Sequence, residues 1–161
     1  MNQPLQHEDA HRVRAAEGWL ELGDLVEATK ELDSVTSVLR AHPDVLAVRY
    51  KIYAQTKDWV MCEQIARALT KVAPEHPSGW ISLSQCLHFQ GKTQEAYDTL
   101  YAVLPTFPKL AVMEYDLACY ACRLGKLEEA RTRLEKAFTE SDQPDDLKRH
   151  AKEDPDLKEL W

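Results

Sequence analysis

Glycine is scarce in this chain of 161 residues, with five copies, and proline is held to eight. So little of either excludes a collagen-like chain or a linker-rich one. There is no run of about 18 apolar residues, so the sequence offers no helix that crosses a membrane. Met1-Asn2-Gln3-Pro4-Leu5-Gln6-His7-Glu8-Asp9 has neither a basic start nor an apolar stretch. It therefore predicts no signal peptide and a cytoplasmic protein. Positive charge is also in deficit: 20 basic against 27 acidic residues leave a net charge of −7. That balance disfavours nucleic acid and anionic membrane as partners. No Ser-His-Asp set, glycine-rich phosphate loop or H-E-x-x-H helix is present, so no enzyme activity and no cofactor are expected.

What is present is a repeat. Gly23-Asp24-Leu25-Val26-Glu27-Ala28, Lys57-Asp58-Trp59-Val60-Met61-Cys62, Gly91-Lys92-Thr93-Gln94-Glu95-Ala96 and Gly125-Lys126-Leu127-Glu128-Glu129-Ala130 align without insertion at a spacing of 34. Each reads as a turn between two helices. A glycine there adopts the left-handed conformation that a side chain disfavours, and an apolar stripe follows. The apolar positions on either side recur at three and four residues, the helical period. Trp80, Leu83 and Leu87 make one stripe, and Ala96, Leu100 and Val103 the next. Leu117, Ala118 and Ala121 are followed in turn by Ala130, Leu134 and Ala137. Pro43, Pro77 and Pro108 lie near the junctions between units, where a helix starts with no amide hydrogen to satisfy. Pro105 predicts an early end or kink in the sixth helix, with Phe107 turned back onto the core.

These residues resemble the tetratricopeptide repeat (TPR) family of 34-residue helix-turn-helix units. Four units fit: 9–42, 43–76, 77–110 and 111–144, after a lead of residues 1–8 and before a tail of 145–161. The resemblance covers about 135 residues. The third unit keeps the pattern best, with Trp80, Leu83, Ser84, Leu87, Gly91, Ala96, Leu100 and Pro108 in register. The second has Cys62 and Arg49 where the family favours Ala and Leu. The first has Arg40 for the closing proline, so its second helix is expected to run on to His42. The fourth carries Glu114 in place of Trp and Asp142 in place of Pro. The implied fold is all-α: a right-handed α-solenoid of about four units with a C-terminal capping helix. A single domain overall is expected.

Solenoid ends expose an apolar face unless capped. Residues 145–153 read as an amphipathic helix presenting Leu147, Ala151 and His150. Asp154 then caps a short helix begun by Pro155, with Leu157, Leu160 and Trp161 at helical spacing. The tail is thus expected to be a structural cap, with a partner-binding tail anchored by Trp161 as the alternative. Asp154-Pro155-Asp156-Leu157 resembles the end of many small bacterial TPR proteins, which implies a bacterial source. From Thr139 onward eight acidic residues stand against four basic ones, so much of the net charge belongs to this end. Acidic pairs such as Glu128-Glu129 are expected to be solvated.

Cys119-Tyr120-Ala121-Cys122 is formally a CxxC motif, but it lies inside a predicted helix and lacks the second pair that structural zinc uses. Together with Cys62 and Cys86, these cysteines are read as buried or groove-lining thiols, with no metal bound. His42-Pro43 and His76-Pro77 repeat at 34 and are read as junction residues.

The family resemblance implies a concave groove lined by the second, fifth, ninth, twelfth and thirteenth residues of each unit. From the first two units these include Glu17 and Lys51. From the third they include Ile81, Gln85, His88 and Phe89, and from the fourth Tyr115, Cys119, Cys122 and Arg123. The first half is charged and the second apolar and aromatic, which points to a protein or peptide partner. The carboxylate clamp some members use would fall on Ala10, Arg14, Val48, Ser78 and Ser82, with one cation and no Asn, so that mode is disfavoured. The resulting expectation is a non-catalytic interaction module or adaptor, monomeric, with homo-oligomers possible. A small secretion-type chaperone and a self-assembling TPR scaffold are the alternatives.

Overall fold

The computed structural model describes residues 4–161, so the reading of Met1-Asn2-Gln3 lies outside the described residues. Nine α-helices are found among the described residues, and no strand. They are α1 His7–Glu21, α2 Leu25–Asp33, α3 Pro43–Gln55, α4 Trp59–Val72, α5 Pro77–Phe89, α6 Thr93–Val103, α7 Ala111–Arg123, α8 Leu127–Glu140 and α9 Pro144–Glu153. A 3₁₀ segment, Pro155–Leu160, follows. No helix among the described residues is long and apolar enough to cross a membrane. The chain divides into two compact units, Met1–Ser82 and Leu83–Trp161.

The turns follow the repeat. Gly23, Gly91 and Gly125 take φ of 80°, 80° and 76°, and Lys57 stands in the same conformation at 56°. Asp24 and Asp58 then cap the next helix, accepting from the amides of Glu27 and Met61 at 3.0 and 3.1 Å. In the later turns lysine holds that position and makes no side-chain cap. His42 caps α3, its Nδ1 accepting from the Asp44 amide at 3.3 Å, in keeping with a junction role.

In the first unit α1 packs on α2 and α3 on α4. A buried cluster runs from Val13 and Leu20 through Leu32 and Leu39 to Val48 and Ile52. Gly79 of α5 lies so close to α4 that a Cβ there would meet Leu69 Cβ at 3.1 Å and the Thr70 amide at 3.2 Å.

Helix α2 does not run on to His42. It stops at Asp33, and a 3₁₀ turn over Ser37–Leu39 carries the chain to the next helix. Two side chains cause the stop. Asp9, buried in α1, accepts from the Thr36 amide at 2.8 Å and from the Thr36 hydroxyl at 3.0 Å. Arg40 donates to the carbonyls of Asp33 at 2.8 Å and Val35 at 3.3 Å, satisfying acceptors that the helix end leaves open.

In the second unit α7 packs on α8 and α6 on α7, and α9 lies against α8. Helix α6 ends at Val103, Pro105 sits in a 3₁₀ turn, and Phe107 is buried, as the sequence predicts. Leu83, Leu87, Leu100, Met113, Leu117 and Leu134 fill the core, together with Leu157 from the final segment. Glu114, at the position where the family favours Trp, is buried against Arg133 at 2.8 Å. Arg133 also reaches Glu129 at 3.1 Å and the Tyr97 hydroxyl at 3.3 Å. Tyr97 in turn donates to Glu129. Glu129 is therefore half-buried and paired rather than solvated, and Arg133 and Tyr97 hold its carboxyl below the ordinary range against the opposing effect of burial. Glu128 is exposed, as expected.

Candidate functional site

The helical period puts His88 of α5 and Tyr115, Cys119, Cys122 and Arg123 of α7 on faces that meet the last segment of the chain, while Gln85 of α5 turns to Asp116 of α7. That segment begins where α9 stops at Glu153. Asp154 is extended, Pro155 starts the 3₁₀ turn, and the Asp154 side chain caps it by accepting from the Asp156 amide at 2.9 Å. The cap expected from the sequence is present, and it orients both carboxylates towards α5 and α7.

Asp154 Oδ2 accepts from the Tyr115 hydroxyl at 2.8 Å and from the Cys119 thiol at 3.8 Å. Asp156 Oδ2 lies 2.8 Å from His88 Nε2, and its Oδ1 lies 3.6 Å from Arg123 Nε. The carboxylate accepts, so Nε2 carries the hydrogen. His88 Nδ1 is held by the Thr93 hydroxyl at 3.0 Å, which fixes the ring. The ring also lies 4.9 Å from that of Tyr120. Leu157 follows and is fully buried. His150 of α9 covers Tyr115 from the other side, with ring centroids 5.7 Å apart.

Burial sets the chemistry of these groups. Tyr115 is pushed above the ordinary phenol range by burial and by its bond to Asp154. Burial likewise raises the Cys119 thiol, reinforced by Asp154 and Asp116. Cys122 is raised for the same first reason. Reactive cysteines need the opposite shift, so neither thiol is activated as a nucleophile. All four cysteines are buried. Among the described residues, no three His, Cys, Asp or Glu side chains are grouped to hold a metal. Asp116 is pushed up to about 7 by burial and by Asp154, against a hydrogen bond donated by Gln85 Nε2 at 3.0 Å.

The sequence-predicted residues divide accordingly. Tyr115, Cys119 and Cys122 lie beneath the last segment and not in an open groove. Gln85 and His88 are half-buried and engaged, while Arg123 keeps about half of its side chain in solvent. Phe89 is 56% exposed, an aromatic face beside His88. Ile81 is half-buried. In the first unit Lys51 and Glu17 pair at 3.5 Å beside a shallow cavity of about 400 Å³ lined also by Leu20, Tyr50 and Ala54. The sequence marks Asp154 as a helix cap and Asp154–Leu157 as a family-like ending, but not Asp154 and Asp156 as partners of α5 and α7, and it gives Asp116 no signal.

Trp161 is 60% exposed and donates its Nε1 hydrogen to the Ala151 carbonyl at 3.3 Å. It helps line a cavity of about 570 Å³ with Phe138, Leu160, Lys148 and Lys152.

No protein-family model matches the chain, and no curated protein matches it. Its likeness is to solved structures of MamA, a TPR-like helical repeat protein. MamA from residue 41 onward of Desulfovibrio magneticus RS-1 aligns with 98% of this chain and 91% of its own, at 17% identity and a TM-score of 0.76. A crystal structure of MamA aligns over 86% of this chain and 81% of its own, at 9% identity and a TM-score of 0.74. A MamA RS-1 double mutant aligns over 91% and 79%, at 14% identity and a TM-score of 0.72. At such identities the likeness shows the fold: an all-α, TPR-like helical repeat.

Proposed function

We propose that the chain is a non-catalytic protein-binding module that takes a partner segment on the face built by α5 and α7. One observation carries this reading. Side chains from the inner positions of two successive repeats already converge on a stretch of polypeptide, the segment from Asp154 to Leu157. A surface that satisfies the carboxylates and the leucine of one segment has the donors and the apolar floor to hold a segment of another protein. Phe89 and Arg123 extend that face into solvent with an aromatic and a cation, residue types that dominate binding energy when a partner covers them. Burial raises the Cys119 and Cys122 thiols, the opposite of what a cysteine nucleophile needs.

The test is affinity capture from the native host followed by mass spectrometry, repeated with Phe89→Ala combined with Arg123→Glu. The captured partner is expected to be lost at least about tenfold in affinity. A partner that binds the folded variant as well as the wild type would remove the assignment.

A further inference from the structure

We infer that Asp154–Leu157 is a built-in stand-in for the ligand, and that the partner segment carries its chemistry: two carboxylates two positions apart, followed at once by leucine. This rests on the reading of the α5–α7 face as a protein-binding surface and specifies the partner of that same surface.

The inference comes from what displacement would leave behind. The Tyr115 hydroxyl and the His88 Nε2 hydrogen each have a carboxylate acceptor at 2.8 Å. Tyr115 is buried, and His88 is mostly so. If the segment left and an apolar helix took its place, both donors would stand desolvated without acceptors, a loss that a solvated face would not suffer. Only an incoming segment with acceptors at the same two points avoids that loss. Carboxylates suit them best, because Arg123 stands 3.6 Å from the second and draws negative charge. The buried Leu157 position asks for an aliphatic side chain next to it. The donors sit at repeat-determined positions on two helices, so the spacing of the required carboxylates is fixed by the fold and not by the flexibility of the tail.

A tethered segment competes at an effective concentration in the millimolar range, so the wild-type chain screens out weak acidic ligands. The experiment uses a fluorescently labelled peptide of residues 151–161 and the full chain carrying Asp154→Ala with Asp156→Ala. Fluorescence polarisation is expected to show saturable binding to the variant, at least about tenfold tighter than to wild type. The same peptide with both aspartates changed to asparagine is expected to bind at least about tenfold more weakly. Adding Tyr115→Phe and His88→Ala to the variant is expected to remove the preference for the aspartate peptide over the asparagine one. Amide exchange at residues 154–160 should be faster in the variant. Should the alanine pair lose helicity, Asp154→Asn with Asp156→Asn serves in its place.

Equal binding to wild type and variant overturns the inference, as does no binding to a variant whose segment exchanges freely. A segment that stays as protected as in wild type also overturns it, since the carboxylates would then not hold it. A doubled wild-type mass in light scattering that falls to monomer on adding peptide would make a second copy the occupant, and overturns it too. A captured partner that needs Phe89 and Arg123 but lacks the acidic pair would sink this inference and leave the proposed function standing.

Discussion

Tyr115 and Asp154, 39 positions apart, are joined by a 2.8 Å hydrogen bond from phenol to carboxylate, and the bond lies beneath the last turn of the chain. It links α7 to the segment that covers it. Removing the hydroxyl with Tyr115→Phe keeps the ring and its contact with His150 but leaves Asp154 short of a donor. The expected outcome is a loss of about 1–2 kcal/mol in urea unfolding, with faster amide exchange confined to residues 154–160. Unchanged exchange there would show that the bond does not hold the segment.

Asp116 makes stability depend on pH. Its carboxyl is pushed up to about 7 by burial and by Asp154, while in an unfolded chain it titrates near the ordinary 3.8. Between those values the folded state binds the proton and the unfolded state does not. The contribution is therefore full at acid pH below the unfolded value and is lost as pH rises through about 7. The chain should be more stable at pH 5.5 than at pH 8, by on the order of 1–2 kcal/mol, relative to Asp116→Asn measured at the same two points. Equal differences for both proteins would count against it.

Lys57 holds the turn position that glycine holds in the other three repeats, with φ of 56°. A side chain in that conformation costs about 1–2 kcal/mol, part of which glycine gives back through its freer unfolded chain. Lys57→Gly is therefore expected to stabilise by about 0.5–1 kcal/mol and raise the melting temperature. Gly91→Ala, the converse change, is expected to lower it by a similar amount or more.

Glu114 and Arg133 form a buried pair at 2.8 Å. Removing Arg133 leaves the buried Glu114 with Lys136 at 3.9 Å and takes a donor from Glu129 and Tyr97, so Arg133→Met should cost about 3–5 kcal/mol. Combining it with Glu114→Leu should return the part of that loss due to Glu114, while the part due to Glu129 and Tyr97 remains. Strict additivity of the two losses in chemical denaturation would contradict the pairing.

Local features carried most of the fold into view. The 34-residue spacing, the turn glycines, Lys57 as their substitute and the break at Pro105 depend on residues within a turn or two of each other. The end of α2 is not legible locally because its cause is remote: Asp9 sits 27 residues before Thr36, and the pattern of α2 alone does not reveal it. The same holds for Glu114, a mere departure from the family pattern until Arg133, 19 residues on, is seen against it. The site was half legible. Repeat register picked out His88, Tyr115, Cys119 and Arg123, all of which meet the last segment. It did not show that Asp154 and Asp156 would reach them, since that depends on how far a 3₁₀ turn folds back over α7.

The position of the covering segment also fixes an order in time. Helices α5 and α7 are complete by Arg123, whereas Asp154 is added about thirty residues later. A chain emerging from the ribosome at roughly 5–20 residues per second thus brings α7 out ahead of the segment that covers it. The α7 face is therefore bare first and covered second.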